Sequence, residues 1–231
     1  MQEVKFPIEQ SVMRSYSLAD QIRFGLEYRV FELVIIGYKK MCEAGRFNVG
    51  WKENKFTAVL KAYVKKHCQE FSRLTMRNWY IDREYYHDSE DVIEGEGDPD
   101  TASRIDIIIL TWTPDYEEIK FPFECKLLDV NDSESIRLYV KNGIYDRYLT
   151  EKDYSHQSLW GGMIGYMING AHEEIVSKLN VQIDKQLKSS IAHLKIYQTI
   201  TEYVAIYRSL HQHPNKAGLL AITHLLFSFT K

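Results

Sequence analysis

The sequence predicts an α/β protein, a mixed sheet flanked by helices, and three observations carry that prediction. Long apolar-periodic segments fill most of residues 18–71, two strongly apolar strand patterns lie between Arg104 and Asp129, and two further strand runs close the chain. At 231 residues with 45% apolar composition, the chain is long enough to build a sizeable core.

Residues 1–18 show no clear periodicity and read as an arm that packs on the body or on a partner. From Leu18 to about Glu43, Ile22, Leu26, Val30, Leu33, Val34 and Met41 recur at helical spacing, and Gly45 is a plausible stop. So many large apolar residues predict packing on both sides, as a brace for the fold or as a subunit interface. Residues 1–50 are therefore set apart as an N-terminal helical extension of a main domain at 51–231.

The next helix, about Lys52 to Phe71, places Glu53, Phe56, Thr57, Leu60 and Val64 on one stripe. A glutamate heads its buried face. Taken alone, a first-turn Glu complements the helix dipole. Asn78 to His87 then reads as the first strand, rich in aromatic and β-branched residues. Glu84 falls within it, either as an edge charge or as a further acid near a site. Asp88 to Asp100 is an acidic loop containing Gly95, Gly97 and Pro99.

The stretch from Arg104 to Asp129 organises the rest. In its first strand, Ile105, Ile107 and Ile109 alternate with Asp106, Ile108 and Leu110, so both faces are apolar and the one charge needs a partner. In its second strand, Glu124 and Lys126 share a face opposite Phe121, Phe123 and Cys125. Pairing the two as a hairpin brings Asp106 beside Glu124. Two carboxylates held together in an apolar sheet call for a divalent cation.

Beyond that hairpin, Asp132 or Ser133 caps a helix expected to run through Val140 and to end at Asn142-Gly143. Ala171 to Gln198 reads as one or two helices, with Ile175, Leu179, Ile183, Leu187, Ile191 and Leu194 as an apolar stripe for the core or a dimer interface. Tyr203 to Leu210 and Leu219 to Phe229 form a terminal hairpin extending the sheet.

Composition narrows the classes of function. A formal net charge of −3 excludes a globally basic nucleic-acid binder. Local basic clusters remain, at Lys61, Lys65, Lys66, Arg73 and Arg77 and at Arg137, Lys141, Arg147 and Lys152, as solvated helix faces or as contact surfaces. No segment has the length of a bilayer span or the order of a signal peptide, and three widely spaced cysteines fit a reducing cytoplasm. His211, His213 and His224 lack the cysteines and the paired spacing of a zinc site. Glycine-rich phosphate loops, dinucleotide fingerprints and nucleophile elbows are absent from the sequence.

Asp106 followed by Glu124-Cys125-Lys126 resembles the core of the PD-(D/E)XK phosphodiesterase superfamily, in which an Asp on one strand precedes Glu-x-Lys on the next. The resemblance implies a restriction-endonuclease-like core with an added N-terminal helix and a C-terminal β-hairpin. It implies that Asp106 and Glu124 bind Mg²⁺ or Mn²⁺, with the carbonyl of Cys125 as a further ligand, and that Lys126 orients or deprotonates the attacking water and stabilises the transition state. The family's first core helix supplies a Glu that approaches the metal, and Glu53-Asn54-Lys55-Phe56-Thr57 looks like that element. A literal Pro99-Asp100 also matches the family name, but a rigid strand suits the catalytic Asp better than an acidic loop does.

The stretch from Tyr139 to Tyr148 is similar to a segment of bacterial nuclease-like proteins, many linked to phage defence, which precedes a helix matched here by Gly162-Met163-Ile164-Gly165-Tyr166. Arg147, Tyr139 and Lys141 are then expected to contact nucleic acid, with Arg147 either on a phosphate or in a structural salt bridge. The implied function is a metal-dependent DNA endonuclease of bacterial anti-phage defence, cytoplasmic and without membrane contact. Its partners would be DNA, other subunits of a defence complex, or a second copy in a homodimer. An RNA or single-strand nuclease, or a non-cutting nucleic-acid-binding scaffold subunit, fits the same residues.

Overall fold

The structure is a computed structural model that describes residues 18–75, 79–87, 103–112, 118–150, 154, 160–188, 190–201, 204–213 and 218–230. Residues 1–17 of the arm predicted at 1–18, the acidic loop with Asp100, and Arg77 and Lys152 lie outside the described residues, as do the side chains of Arg73 and Glu84.

Helix α1 (Leu18–Glu43) buries Val30, Leu33, Val34 and Met41, and ends where Gly45 takes φ +61°, a left-handed conformation that favours glycine. It crosses α2 (Glu53–Thr75) closely: a Cβ on Gly37 would lie 2.5 Å from Val64 Cγ2. From Leu26 to Met41 the buried apolar residues of α1 share one core with α2 and the sheet of this chain. Its buried Glu27 accepts a hydrogen bond from Arg208, 2.9 Å away on a C-terminal strand. Among the described residues no helix is long and apolar enough to cross a membrane.

The sheet has seven strands in the order β1-β2-β3-β4-β7-β6-β5. These are β1 (Tyr80–His87), β2 (Ser103–Trp112), β3 (Glu118–Asp129), β4 (Trp160–Asn169), β5 (Lys195–Thr201), β6 (Val204–Gln212) and β7 (Leu219–Ser228). β3, β4 and β7 run parallel to their neighbours at the centre, and the remaining pairs are antiparallel. Helices α1 and α2 cover one face. The other carries a helix that starts as α3 (Ser133–Leu138), widens into a π-helix at Tyr139–Tyr145 and closes as α4 (Asp146–Tyr148), together with α5 (His172–Leu187).

Three expectations are corrected. Gly162 to Tyr166 is not helical but the middle of β4, a central parallel strand whose glycines receive large rings. Phe123 fills the space beside Gly162 on one face, and Tyr148 that beside Gly161 on the other. Asn142-Gly143 does not end its helix. Gly143 instead permits close packing, since a Cβ there would lie 2.5 Å from Met163 Cε. The predicted helix to Gln198 stops at Leu187, where Lys188 adopts φ 50°, and the chain continues through a short turn at Ser190–Ala192 into edge strand β5. The terminal hairpin forms as expected, with β7 seated against β4.

Candidate functional site

The site forms where β2 parts from β3. Their ladder ends at the pair Ile107–Phe123, whereas β3 continues to Asp129 alongside β4. Alternate N–H groups of β3 beyond that point have lost their strand partner and must find acceptors. Two carboxylates supply them. Asp106 Oδ2 accepts from the Cys125 N–H at 2.8 Å, and Glu53 Oε2, from the first turn of α2, accepts from the Leu127 N–H at 3.3 Å.

Between these caps lie Glu124 and Lys126. Lys126 Nζ donates to Glu124 Oε1 at 2.6 Å, to the Cys125 carbonyl at 2.8 Å and to Glu53 Oε1 at 3.2 Å. From the other side Arg147 Nε comes to 3.3 Å from Glu124 Oε1, while its guanidinium lies 5.5 Å from the ring centre of Tyr154. Side-chain exposure rises from 1% at Glu124 to 14% at Lys126, 26% at Arg147 and 31% at Glu53, so the site opens past the last two. Asp106, Glu124, Lys126, Glu53, the Cys125 carbonyl and Arg147 are therefore gathered in one place.

Burial sets the electrostatics. It pushes the Glu124 carboxyl up to about 7, helped by the negative charge of Asp106 and opposed by Lys126 and Arg147. Burial also raises Glu53, against the pull of Lys126. For Lys126 burial acts downward, but the charges of Glu124, Glu53 and Asp106 outweigh it and hold the ammonium protonated above its ordinary range.

The donor set fits a divalent cation in one respect. Glu124 Oε2 is fully buried and has no hydrogen-bond partner, a condition that native structures rarely leave unanswered. Among the described residues no three His, Cys, Asp or Glu side chains are grouped as a ligand cage, and Lys126 Nζ takes up Glu124 Oε1 and Glu53 Oε1.

Tyr139 is corrected as a nucleic-acid contact. It is fully buried, and its hydroxyl meets His224 Nδ1 at 3.0 Å in the core beneath the helix. Lys141 is exposed.

Two features escaped sequence reasoning. Tyr148 is wholly buried, donates to the Gly162 carbonyl at 2.5 Å and so ties the helix end to β4. Ser209 Oγ lies 2.7 Å from both His211 Nε2 and His224 Nε2, in a buried hydrogen-bond network. A histidine inside the apolar run Leu219 to Phe229 is the one signal of that network in the sequence.

Comparison with protein-family models, with curated proteins and with solved structures finds no match. The functional reading therefore rests on the residues and their geometry.

Proposed function

We propose that this chain is a metal-dependent nuclease that hydrolyses phosphodiester bonds of DNA on a restriction-endonuclease-like core of the PD-(D/E)XK type. One observation carries the reading: Asp106 and Glu53, from two other elements, meet Glu124 and Lys126 where β3 loses β2 as its partner, and Glu124 keeps one buried oxygen unbonded. Asp106, Glu124 and the Cys125 carbonyl would hold Mg²⁺ or Mn²⁺. When bound, the ion supplies a Lewis acid that neutralises charge growing on the phosphoryl oxygens.

The chain's own groups do the rest. Lys126, kept protonated by three carboxylates, acts as an electrostatic clamp on the phosphoryl group and orients the attacking water, and is a poor general base. Arg147, half-buried at the mouth, is placed to take a phosphate oxygen by a bidentate contact. Glu53 steadies Lys126 from the exposed side. The likeness of the segment at 139–148 to defence-associated bacterial proteins supports a role against phage.

A second reading is favoured by the position of Lys126: an internal cation already neutralises the acids, as in a nucleic-acid-binding or scaffold subunit that does not cut. Plasmid, single-stranded DNA and RNA substrates with Mg²⁺ or Mn²⁺, paired with Mn²⁺ calorimetry, separate the two. The nuclease reading requires cleavage and Mn²⁺ binding that are both lost in Glu124→Gln. No Mn²⁺ binding in the parent supports the scaffold, and cleavage of RNA alone moves the substrate class.

A further inference from the structure

Three residues on three strands form one row across the sheet: Glu124 of β3 pairs with Met163 of β4, and Met163 with His224 of β7. Residues in register point to the same face. The helix at 133–148 meets this row three times, at intervals of four residues. Tyr139 reaches His224 at 3.0 Å, Gly143 lies against Met163, and Arg147 reaches Glu124 at 3.3 Å.

A helix of 3.6 residues per turn would carry the eighth residue roughly 80° around the axis, away from the row. The π turn at Tyr139–Tyr145, with its wider winding, takes up that drift and keeps all three contacts on one line. Its middle contact is apolar and would tolerate sliding. Both ends are polar: the Tyr139 end is a buried, directional hydrogen bond, and the Arg147 end is an ion pair.

Proton placement fixes the far end. The Tyr139 hydroxyl is buried with His224 Nδ1 as its partner, so it donates there. His224 then carries its proton on Nε2 and donates to Ser209 Oγ, and Ser209 donates to His211 Nε2. Every step has one direction, and moving the helix would leave buried donors without acceptors.

We propose that Tyr139 and His224 are positioning residues whose buried hydrogen bond fixes the register of the 133–148 helix and thereby sets Arg147 on Glu124. The consequence for cleavage rests on the nuclease reading. The positional claim does not.

The test compares Tyr139→Phe with Tyr38→Phe in the full chain. Tyr38 also donates a buried hydroxyl proton, to the Ser228 carbonyl, but under α1 on the opposite face, so it controls for lost stability alone. By NMR, Tyr139→Phe shifts the Arg147 Nε–H signal and speeds its solvent exchange by about tenfold. Tyr38→Phe leaves that exchange within about twofold of the parent. Should Tyr139→Phe fail to fold, Ser209→Ala, which removes the acceptor of His224, must move the Arg147 signal in the same direction. An unmoved Arg147 signal, or an equal response in Tyr38→Phe, overturns the proposal. Where the parent cleaves DNA, Tyr139→Phe lowers kcat with KM little changed. A moved Arg147 signal in a parent that cleaves nothing keeps the proposal and removes only the nuclease reading.

Discussion

Lys126 Nζ lies 2.6 Å from Glu124 Oε1, an ion pair made by two residues of one strand that point the same way, with Glu124 only 1% exposed. A buried pair of this kind contributes little net stability while both partners are present, but losing one leaves an uncompensated charge. Lys126→Met should therefore destabilise the fold by on the order of 3 kcal/mol. Arg147, still facing Glu124, keeps the loss from growing further. Adding Glu124→Gln should restore most of it, and urea midpoints of the single and double variants read the difference. A double variant less stable than Lys126→Met shows that the pair is not the source.

Asp106 combines a structural duty with its proposed chemical one, and two substitutions separate them. Asp106→Asn keeps an oxygen that can accept from the Cys125 N–H, whereas Asp106→Ala leaves that buried group without it. An unmet buried donor costs about 1–3 kcal/mol. Both variants should lose DNA cleavage, but only the alanine variant should lose stability by that amount in thermal or urea unfolding. Equal stability of the two would remove Asp106 from its place as the cap of β3.

The strands that carry this site are legible in the sequence because each has a period of two or an unbroken apolar run bounded by turn residues, and α2 because Glu53, Phe56, Leu60 and Val64 fall on one stripe. β4 is not. A central strand covered on both faces reads as continuous apolar sequence, which periodicity cannot tell from a buried helix, and its glycines signal close packing without saying of what. β5 is hidden differently: Ile191 and Leu194 continue the helical spacing of α5 past its real end. The helix end is misplaced because Asn142-Gly143 carries a helix-stop pattern that packing against Met163 overrides. That Glu53 would reach Leu127 follows from the parting of β2 and β3, which no local pattern encodes.

Gly162 offers a test of how tightly β4 is held behind the site. A Cβ there would lie 2.5 Å from Phe123 Cδ1, 2.7 Å from Cε1 and 3.0 Å from the Pro122 carbonyl oxygen, which is backbone and cannot swing away. Gly162→Ala should cost about 1–3 kcal/mol by overpacking. Because Phe123 precedes Glu124, it should also lower cleavage more than an equally destabilising change far from the site. Circular dichroism melts and plasmid cleavage measure the two effects. An unchanged melt would mean that β3 and β4 lie further apart than this structure places them.

Acid should weaken the fold through the buried histidines. Burial lowers His211 to about 4 and holds His224 well below its ordinary value, the latter helped by its neighbour His211. Both therefore stay neutral in the folded chain, while in the unfolded chain they take up protons below about 6.5. Their stabilising contribution is complete above that pH and is lost progressively as the pH falls towards 4. Glu124 runs the other way: its raised folded value makes its contribution complete below about 4.5 and lost as the pH rises through about 7. Comparing the parent with His211→Gln cancels the carboxylate effect. Between pH 7 and pH 4.5 the parent should lose about 2 kcal/mol more than the variant, read from urea midpoints at matched ionic strength. Parallel pH profiles for the two chains would show that His211 titrates in the folded protein as it does in the unfolded one, and that the Ser209 network is open to water.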